Sequence, residues 1–450
     1  MTVVLTLVAP LALLIWLVYR GWPILLCAPL LAVAAALIGA EPGLATLTQR
    51  FMPAAGGFVT AFLPLFLLGA VFGKLMEASG AAMALARAII GALGPRNAVP
   101  AVVLSCAALT YGGVSLFVVA FAVYPLALSL FRAADLPPRF IPAAIALGAF
   151  TFTMTALPGT PSIQNAIPMP YFGTTAFAAP GLGLIAGAVM ALGGLAYLGC
   201  ACRSGGMVST GEKLRADGPP LWAALAPIGA VFAVNWVLAE VVFAAQALNY
   251  LSAPEWGAAQ ADQVIGLWAL ICALCAAIAL SLGLSWSRLT APKTTLAQGA
   301  EAALLPLFNT AALVGFGAVV AALPAFGAVA ALAAQTPGGV LNALAVSSSL
   351  LAGLTGSASG GMSIALDTLG ADALAAAARE GVDPAALHRV VALATGGLDA
   401  LPHNGAVVTL LGIAGMTHRQ AYGPIFVVAV AIPVAALLVV LGLAAQFGSF

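Results

Sequence analysis

Asp399, His403 and Asn404 flank Pro402 in a run that is otherwise apolar, GGLDALPHNGAVV at residues 396–408. A carboxyl withdrawn from water favours its neutral form, so it can take up and release a proton as its hydration changes. An imidazole titrates near neutrality, and a carboxamide both donates and accepts hydrogen bonds. The pattern points to proton handling, or to hydrogen bonding of a polar solute, where a helix is interrupted. Asp399 is the first candidate for a proton carrier, with His403 able to share the proton and Asp367 a third candidate. The plain alternative is that these groups only satisfy backbone atoms freed by the break.

A second run of the same kind lies earlier in the chain, TMTALPGTPSIQNAIP at residues 153–168. Proline inside a helix removes a hydrogen bond and clashes with the preceding turn, so Pro158, Gly159 and Pro161 must unwind it. Thr155, Thr160, Ser162, Gln164 and Asn165 stand ready to partner the freed backbone. Upstream of each break is a glycine-rich tip, SCAALTYGGVSLFVV at 105–119 and TGSASGGMS at 355–363. Glycine lets backbone approach a solute closely, hydroxyls can donate to a carboxylate or accept from an alcohol, and a helix that begins at such a tip favours an anion. The predicted solute-binding set is therefore Gly112, Gly113, Ser115, Thr160, Ser162 and Asn165 from the first half. From the second it is Thr355, Ser357, Ser359, Gly360, Gly361, Ser363, His403 and Asn404. For the tips, the alternative is packing of small residues between helices.

The elements that carry these groups belong in a membrane. Of 450 residues, 63% are hydrophobic and 6% charged, with a mean hydropathy of +1.12; a soluble domain carries about 25% charged residues. Runs near the ~20 residues that a spanning helix needs occur at 3–19, 22–39, 58–78, 139–157, 180–201, 220–247, 263–286, 302–326 and 423–447. The first lacks the basic start and small-residue cleavage site of a signal peptide and reads as a mature helix. The polar stretches 203–219 and 248–262 are too short to fold alone. No basic cluster exists for nucleic acid. The six cysteines sit in or beside apolar runs and read as packing. No metal-ligand or nucleophile motif is present. The sequence thus reads as a non-enzyme with no metal and no cofactor. Polar residues cluster at breaks and tips instead of forming the continuous stripe that a channel needs.

The chain repeats itself. LPLF begins at Leu63 and Leu305, GGVS and GGMS at Gly112 and Gly360, and ALP at Ala156 and Ala400. Three matches in one order, at separations that agree to a few residues, argue for duplication. The predicted units are 1–210, with a hairpin at 97–132 and a broken helix at 139–171, and 211–450, with a hairpin at 338–378 and a broken helix at 387–417. A hairpin that enters and leaves on one side gives each half an odd number of crossings, so the halves have inverted topology, the plan of many secondary transporters. The fold class is thus an all-α polytopic membrane protein of two inverted repeats, each with a re-entrant hairpin and a broken helix. With residue 1 outside, Arg50, Arg379 and Arg389 alone fall outside and every other lysine and arginine inside, as the positive-inside rule requires. No arginine is expected deep in the core near either break, and His388 and His418 are expected at the membrane interface.

TYGGVSLFVV, ALPGTPSIQNAIP and DALPHNGAVVTLLGIAGMTHRQAY resemble the gluconate permease family, gluconate:proton symporters of the bacterial inner membrane within the ion-transporter superfamily. The resemblance spans roughly residues 60–420. It implies proton-coupled uptake of gluconate or a related hydroxy-acid anion by a homodimer, with the hairpin-bearing part moving as an elevator against a scaffold. A sodium-coupled citrate- or dicarboxylate-type carrier of the same architecture is the alternative. The expected partners are a small organic-acid anion, the lipid bilayer and a second copy, with no nucleic acid.

Overall fold

The structure, a computed structural model, describes residues 9–20, 22–114, 116–202, 218–243, 246, 248–256, 259–323, 336–402 and 404–450. Ser115, His403, the start of the first predicted span, most of the 203–219 linker and the end of the 302–326 span lie outside them. The described residues are helical and contain no strand. Six of these helices are long and apolar enough to cross a membrane.

The first half runs α1 (Ala9–Tyr19), α2 (Ile24–Ile38), α3 (Gly43–Ala78), α4 (Ala81–Leu93), α5 (Ala98–Tyr111), α6 (Leu116–Ala133), α7 (Ile141–Ala149), α8 (Phe152–Thr155), α9 (Ile163–Ala166), α10 (Pro168–Phe172) and α11 (Pro180–Ala201). The second half runs α12 (Leu221–Val242), α13 (Ala261–Ser285), α14 (Pro292–Ala322), α15 (Gly339–Thr355), α16 (Ala358–Glu380), α17 (Pro384–Leu398), α18 (Gly405–Ala414) and α19 (His418–Phe447). Each half therefore holds a helical hairpin, α5–α6 or α15–α16, and a helix broken in its middle. The packing partners recur between halves. Helix α5 packs on α7 as α15 packs on α17, α1 on α2 as α12 on α13, and α2 on α14 as α13 on α3. The two LPLF helices, α3 and α14, pack on each other, as do α11 and α19. Elements that correspond in sequence thus meet between the two halves.

Both LPLF helices exceed their sequence-based bounds, and α3 runs for 36 residues and α14 for 31. The amphipathic helix α4 has no counterpart among the predicted spans. It starts at Gly80 in the left-handed region (φ 74°) and buries Ala81, Ala82, Leu85, Ala86 and Ile90. The entering arm of the first hairpin is short: α5 has 14 residues, about 21 Å at 1.5 Å per residue, less than the ~30 Å hydrocarbon layer. Both tips end inside the protein, where Gly112, Val114, Gly360 and Gly361 are buried.

The second hairpin closes through direct helix contact. A Cβ on Gly361 would lie 2.3 Å from Ala352 Cα and from Ala352 N, so the arms touch backbone to backbone. Overpacking of this kind costs about 1–3 kcal/mol. Gly361→Ala is expected to lower the melting temperature of the purified protein by several degrees; an unchanged melting curve would show that the hairpin can open without cost.

Candidate functional site

The first break is longer than Pro158 alone would make it. Helix α7 stops at Ala149, α8 is a single turn, and regular helix resumes only at Ile163. Gly159, at φ 79°, turns the chain within the gap. The freed groups find partners locally: Ser162 Oγ donates to Met154 O, and Asn165 Nδ2 donates to Thr160 O at 3.0 Å and Ala176 O at 2.9 Å. The second break spans Asp399–Asn404, between α17 and α18. Asn404 caps α18, its Oδ1 accepting from Ala406 N at 2.6 Å and Val407 N at 3.0 Å. His418 Nε2 donates to the carbonyl of Pro402 at 2.8 Å, which satisfies the acceptor that the break released. His418 is half-buried in this role, not simply a residue of the membrane interface.

The hairpin tips are tied to these breaks. Tyr111, at the first tip, donates its hydroxyl to Pro158 O at 2.7 Å. At the second tip Asn404 Nδ2 donates to Gly356 O at 3.0 Å, and Asp399 lines the same cavity as Ala358 and Ala400. Ala358 is the first residue of α16, so Asp399 sits on the positive end of that helix.

Tips and breaks line a cavity of about 30 Å³, whose polar lining residues among those described are Thr155, Gln164, Asp399 and Asn404. That volume admits a water-sized group and no organic acid. Leu116, Ala358 and Ala406 also line it. Leu116 is the first residue of α6, Ala358 the first of α16 and Ala406 the second of α18. Three helices from both repeats therefore begin at this point, each presenting the positive end of its dipole, about half a unit charge.

The predicted residues divide. Asn404 of the solute set and Asp399, the candidate proton carrier, reach the cavity. Ser363 is fully buried and donates back to Ser359 O at 2.9 Å. Ser357 caps α16 by accepting from Gly360 N at 3.1 Å, and Ser359 lies 3.5 Å from Thr310 of α14. Gly360 packs on Leu313, and Gly112 on Ile228. Gly113, at φ 90°, makes the first tip's turn beside Pro161. Thr160 is fully buried, with its hydroxyl unpartnered. Thr355 ends α15. Asp367 lies two turns beyond the tip and accepts from the hydroxyl of Tyr171 across the repeats; it does not line the cavity. Glu240 accepts from Thr175 at 2.8 Å, and Lys74 pairs with Glu77 at 3.1 Å.

Two expectations are overturned. Arg389 is not in an outer loop: it is fully buried in α17, beside the first break. Its Nε and Nη2 donate to Ala178 O at 3.1 and 2.7 Å, and Nη1 donates to Thr155 O at 3.4 Å and Asn165 Oδ1 at 3.2 Å. His388, placed by sequence at the interface, is fully buried beside it. Its Nε2 lies 3.2 Å from Asn165 Oδ1 and its Nδ1 2.7 Å from Thr174 Oγ1. An oxygen that already accepts from Arg389 leaves Nε2 as the donor, so a neutral ring accepting from Thr174 satisfies every group. No carboxylate pairs with Arg389 among the described residues; carbonyls at the end of α8 and before α11 hold its charge. The reason lies in α17, where every residue from Ala386 to Gly397 is buried. A helix without a polar face leaves its charged residue no route to water.

Residues missed from sequence are thus Arg389 and His388, which tie α17 to the first break, and Gln164, which lines the cavity and whose buried Oε1 has no partner. Among the described residues no group of histidine, cysteine or carboxylate side chains could hold a metal.

No protein-family model matches the chain. It is 39% identical over 448 residues to a Bacillus subtilis (strain 168) protein described as the uncharacterized transporter YxjC, covering 93% of this chain and 94% of that one. The chain belongs to the YxjC transporter family. Its fold is similar to the crystal structure of the YdaH transporter of Alcanivorax borkumensis, described as having an unusual topology, with a TM-score of 0.54, 18% identity and 88% of each chain covered. Together with the apolar helices, these findings make the chain a membrane protein built as a transporter.

Proposed function

We propose that the chain is a secondary active transporter of the bacterial inner membrane that carries a small hydroxy-acid or carboxylate anion, the class that includes gluconate, together with a proton. The observation that carries this reading is the meeting of three helix N-termini and one carboxylate, Asp399, in a cavity shared by both hairpins and both breaks. The helix ends attract an anion; an ionised Asp399 repels it. At about 5 Å and an effective dielectric of about 20, that repulsion is about 3 kcal/mol, more than a hundredfold in affinity. Protonation of Asp399 removes it. The anion and the proton then bind well only together, which is the thermodynamic condition for symport.

The unit is a homodimer with its N-terminus outside, in which the hairpins and broken helices of each copy move as an elevator against the remaining helices. The test is uptake by proteoliposomes of labelled small organic acids under an inward proton gradient. Accumulation that a protonophore abolishes, and that is unchanged when choline replaces sodium, is expected. Uptake that requires sodium and ignores the protonophore would transfer coupling to sodium.

A further inference from the structure

We propose that the exposed face of α16 lines a water-filled passage from the base of the second hairpin to Asp367; this adds a route of access to the transport reading and depends on neither its solute nor its coupling ion. The base is where α15 begins and α16 ends, with Glu380 accepting from Val340 N at 3.0 Å. Helix α16 is described along its whole length, Ala358–Glu380. Its exposed residues before Glu380 are Asp367, Ala371, Asp372, Ala375, Ala378 and Arg379. At 3.6 residues per turn they share one side of the helix. None of them is a large apolar residue, and the large side chains Met362, Ile364 and Leu366 are buried. Other helices of the chain show the face that suits lipid. The second arm of the same hairpin, α15, exposes Val346 and Leu350, α14 exposes Leu304, Leu305 and Phe308, and α19 exposes Leu438 and Val439.

Depth decides between water and lipid. Asp367 lies about 20 Å along the helix from Glu380, well within a hydrocarbon layer of ~30 Å. A carboxyl group exposed at that depth faces a water-filled cavity, because hydrocarbon offers it no hydrogen bond. Tyr171 of α10 donates its hydroxyl to Asp367, and its ring lies beside Gly370. The end of the first broken helix is therefore the opposite wall. Beyond Asp367 the face closes, since Gly360 to Leu366 are all buried. Ala358, at the start of α16, lines the cavity between tips and breaks. Water entering at the base thus comes within about 14 Å of that cavity along α16, and Asp367 marks the floor of the passage.

The test is the rate at which charged, membrane-impermeant methanethiosulfonates modify single cysteines in the full-length protein, in sealed membrane vesicles of either orientation. The exposed native cysteines, Cys200, Cys272 and Cys275, are first replaced by alanine. Ala371→Cys and Ala375→Cys are expected to react within about tenfold of Arg379→Cys at the base, and from the same side of the membrane. Leu438→Cys on a lipid-type face and the buried Ala377→Cys should react at least about a hundredfold more slowly, because a thiol away from water does not ionise. At Ala371→Cys, one turn from Asp367, a cationic reagent is expected to outpace an anionic one by about tenfold, and Asp367→Asn to lower that preference. Rates at Ala371→Cys and Ala375→Cys as slow as at Leu438→Cys, through lipid or a second copy on this face, overturn the passage. So does modification from the side opposite to Arg379→Cys. A charge preference unchanged by Asp367→Asn removes Asp367 from the floor. The transport reading survives each of these outcomes, and failure of proton-driven uptake leaves the passage standing.

Discussion

Asp399→Asn is expected to abolish uphill uptake while sparing downhill exchange. The carboxamide keeps the shape of the carboxylate, and the bond of Asn404 to Gly356 is untouched, so the second tip stays tied to its break. What it loses is the ability to take a proton. Symport of a monovalent anion with one proton moves no net charge, so only the pH difference drives it. One pH unit then sustains about a tenfold concentration ratio. In proteoliposomes with that gradient, wild type should approach tenfold accumulation and the variant a ratio near one. The variant should still exchange labelled for unlabelled solute, because the helix ends and Gln164 are untouched. Wild-type accumulation with the usual response to a protonophore would make Asp399 a structural cap for α16 and move the proton to another group.

The largest expected loss of stability comes from Arg389→Leu. The guanidinium serves three acceptors, on Ala178, Thr155 and Asn165, that belong to separate stretches of the first repeat, from a position in the second. Removing it leaves the Ala178 and Thr155 carbonyls buried and under-satisfied at about 1–3 kcal/mol each, on the order of 4 kcal/mol together, while Asn165 Oδ1 keeps His388 Nε2. Release from the cost of burying a charge offsets part of this, but the two carbonyls remain without this donor. Arg389→Lys should fall between, since one ammonium cannot fork across two segments. Melting of the purified variants in detergent, followed by intrinsic fluorescence, checks the order wild type, Lys, Leu. A Leu variant as stable as wild type would mean that water or a shifted backbone replaces the guanidinium without cost.

The breaks and tips could be read in the sequence because a proline beside a glycine, or a glycine pair, interrupts the regular helix that an apolar run otherwise forms. Pro158, Pro402, Gly112 and Gly360 all mark them. Asp399 and Asn404 could be read because they flank a break. Arg389 could not be placed by the same reasoning, because a charge close behind Pro384 looks like a helix end near water. The signal was nonetheless present: Ala386, Leu387, Val390 and Val391 surround it on every side of a helix. Which of Thr160, Ser162, Gln164 and Asn165 reaches the cavity depends on how the unwound chain turns at Gly159, a tertiary matter with no local pattern. The inward turn of Ser363 had the opposite cause: its 2.9 Å bond to the carbonyl one turn back is a common helix option that composition alone cannot distinguish from a solute contact.

Duplication hands a molecule two gates of the same shape, and equal gates give no direction. Here the fastenings differ. The first tip is held by a phenol donating to a carbonyl, Tyr111 to Pro158, a bond that neither gains nor loses charge near neutral pH. The second is held by Asn404 on Gly356, with the carboxyl of Asp399 in the same cavity as the start of α16. On the proposed reading, a proton that reaches the cavity therefore acts at one tip and not at the other. With two inverted repeats, a single acidic side chain would then be enough to tell the two sides of the membrane apart.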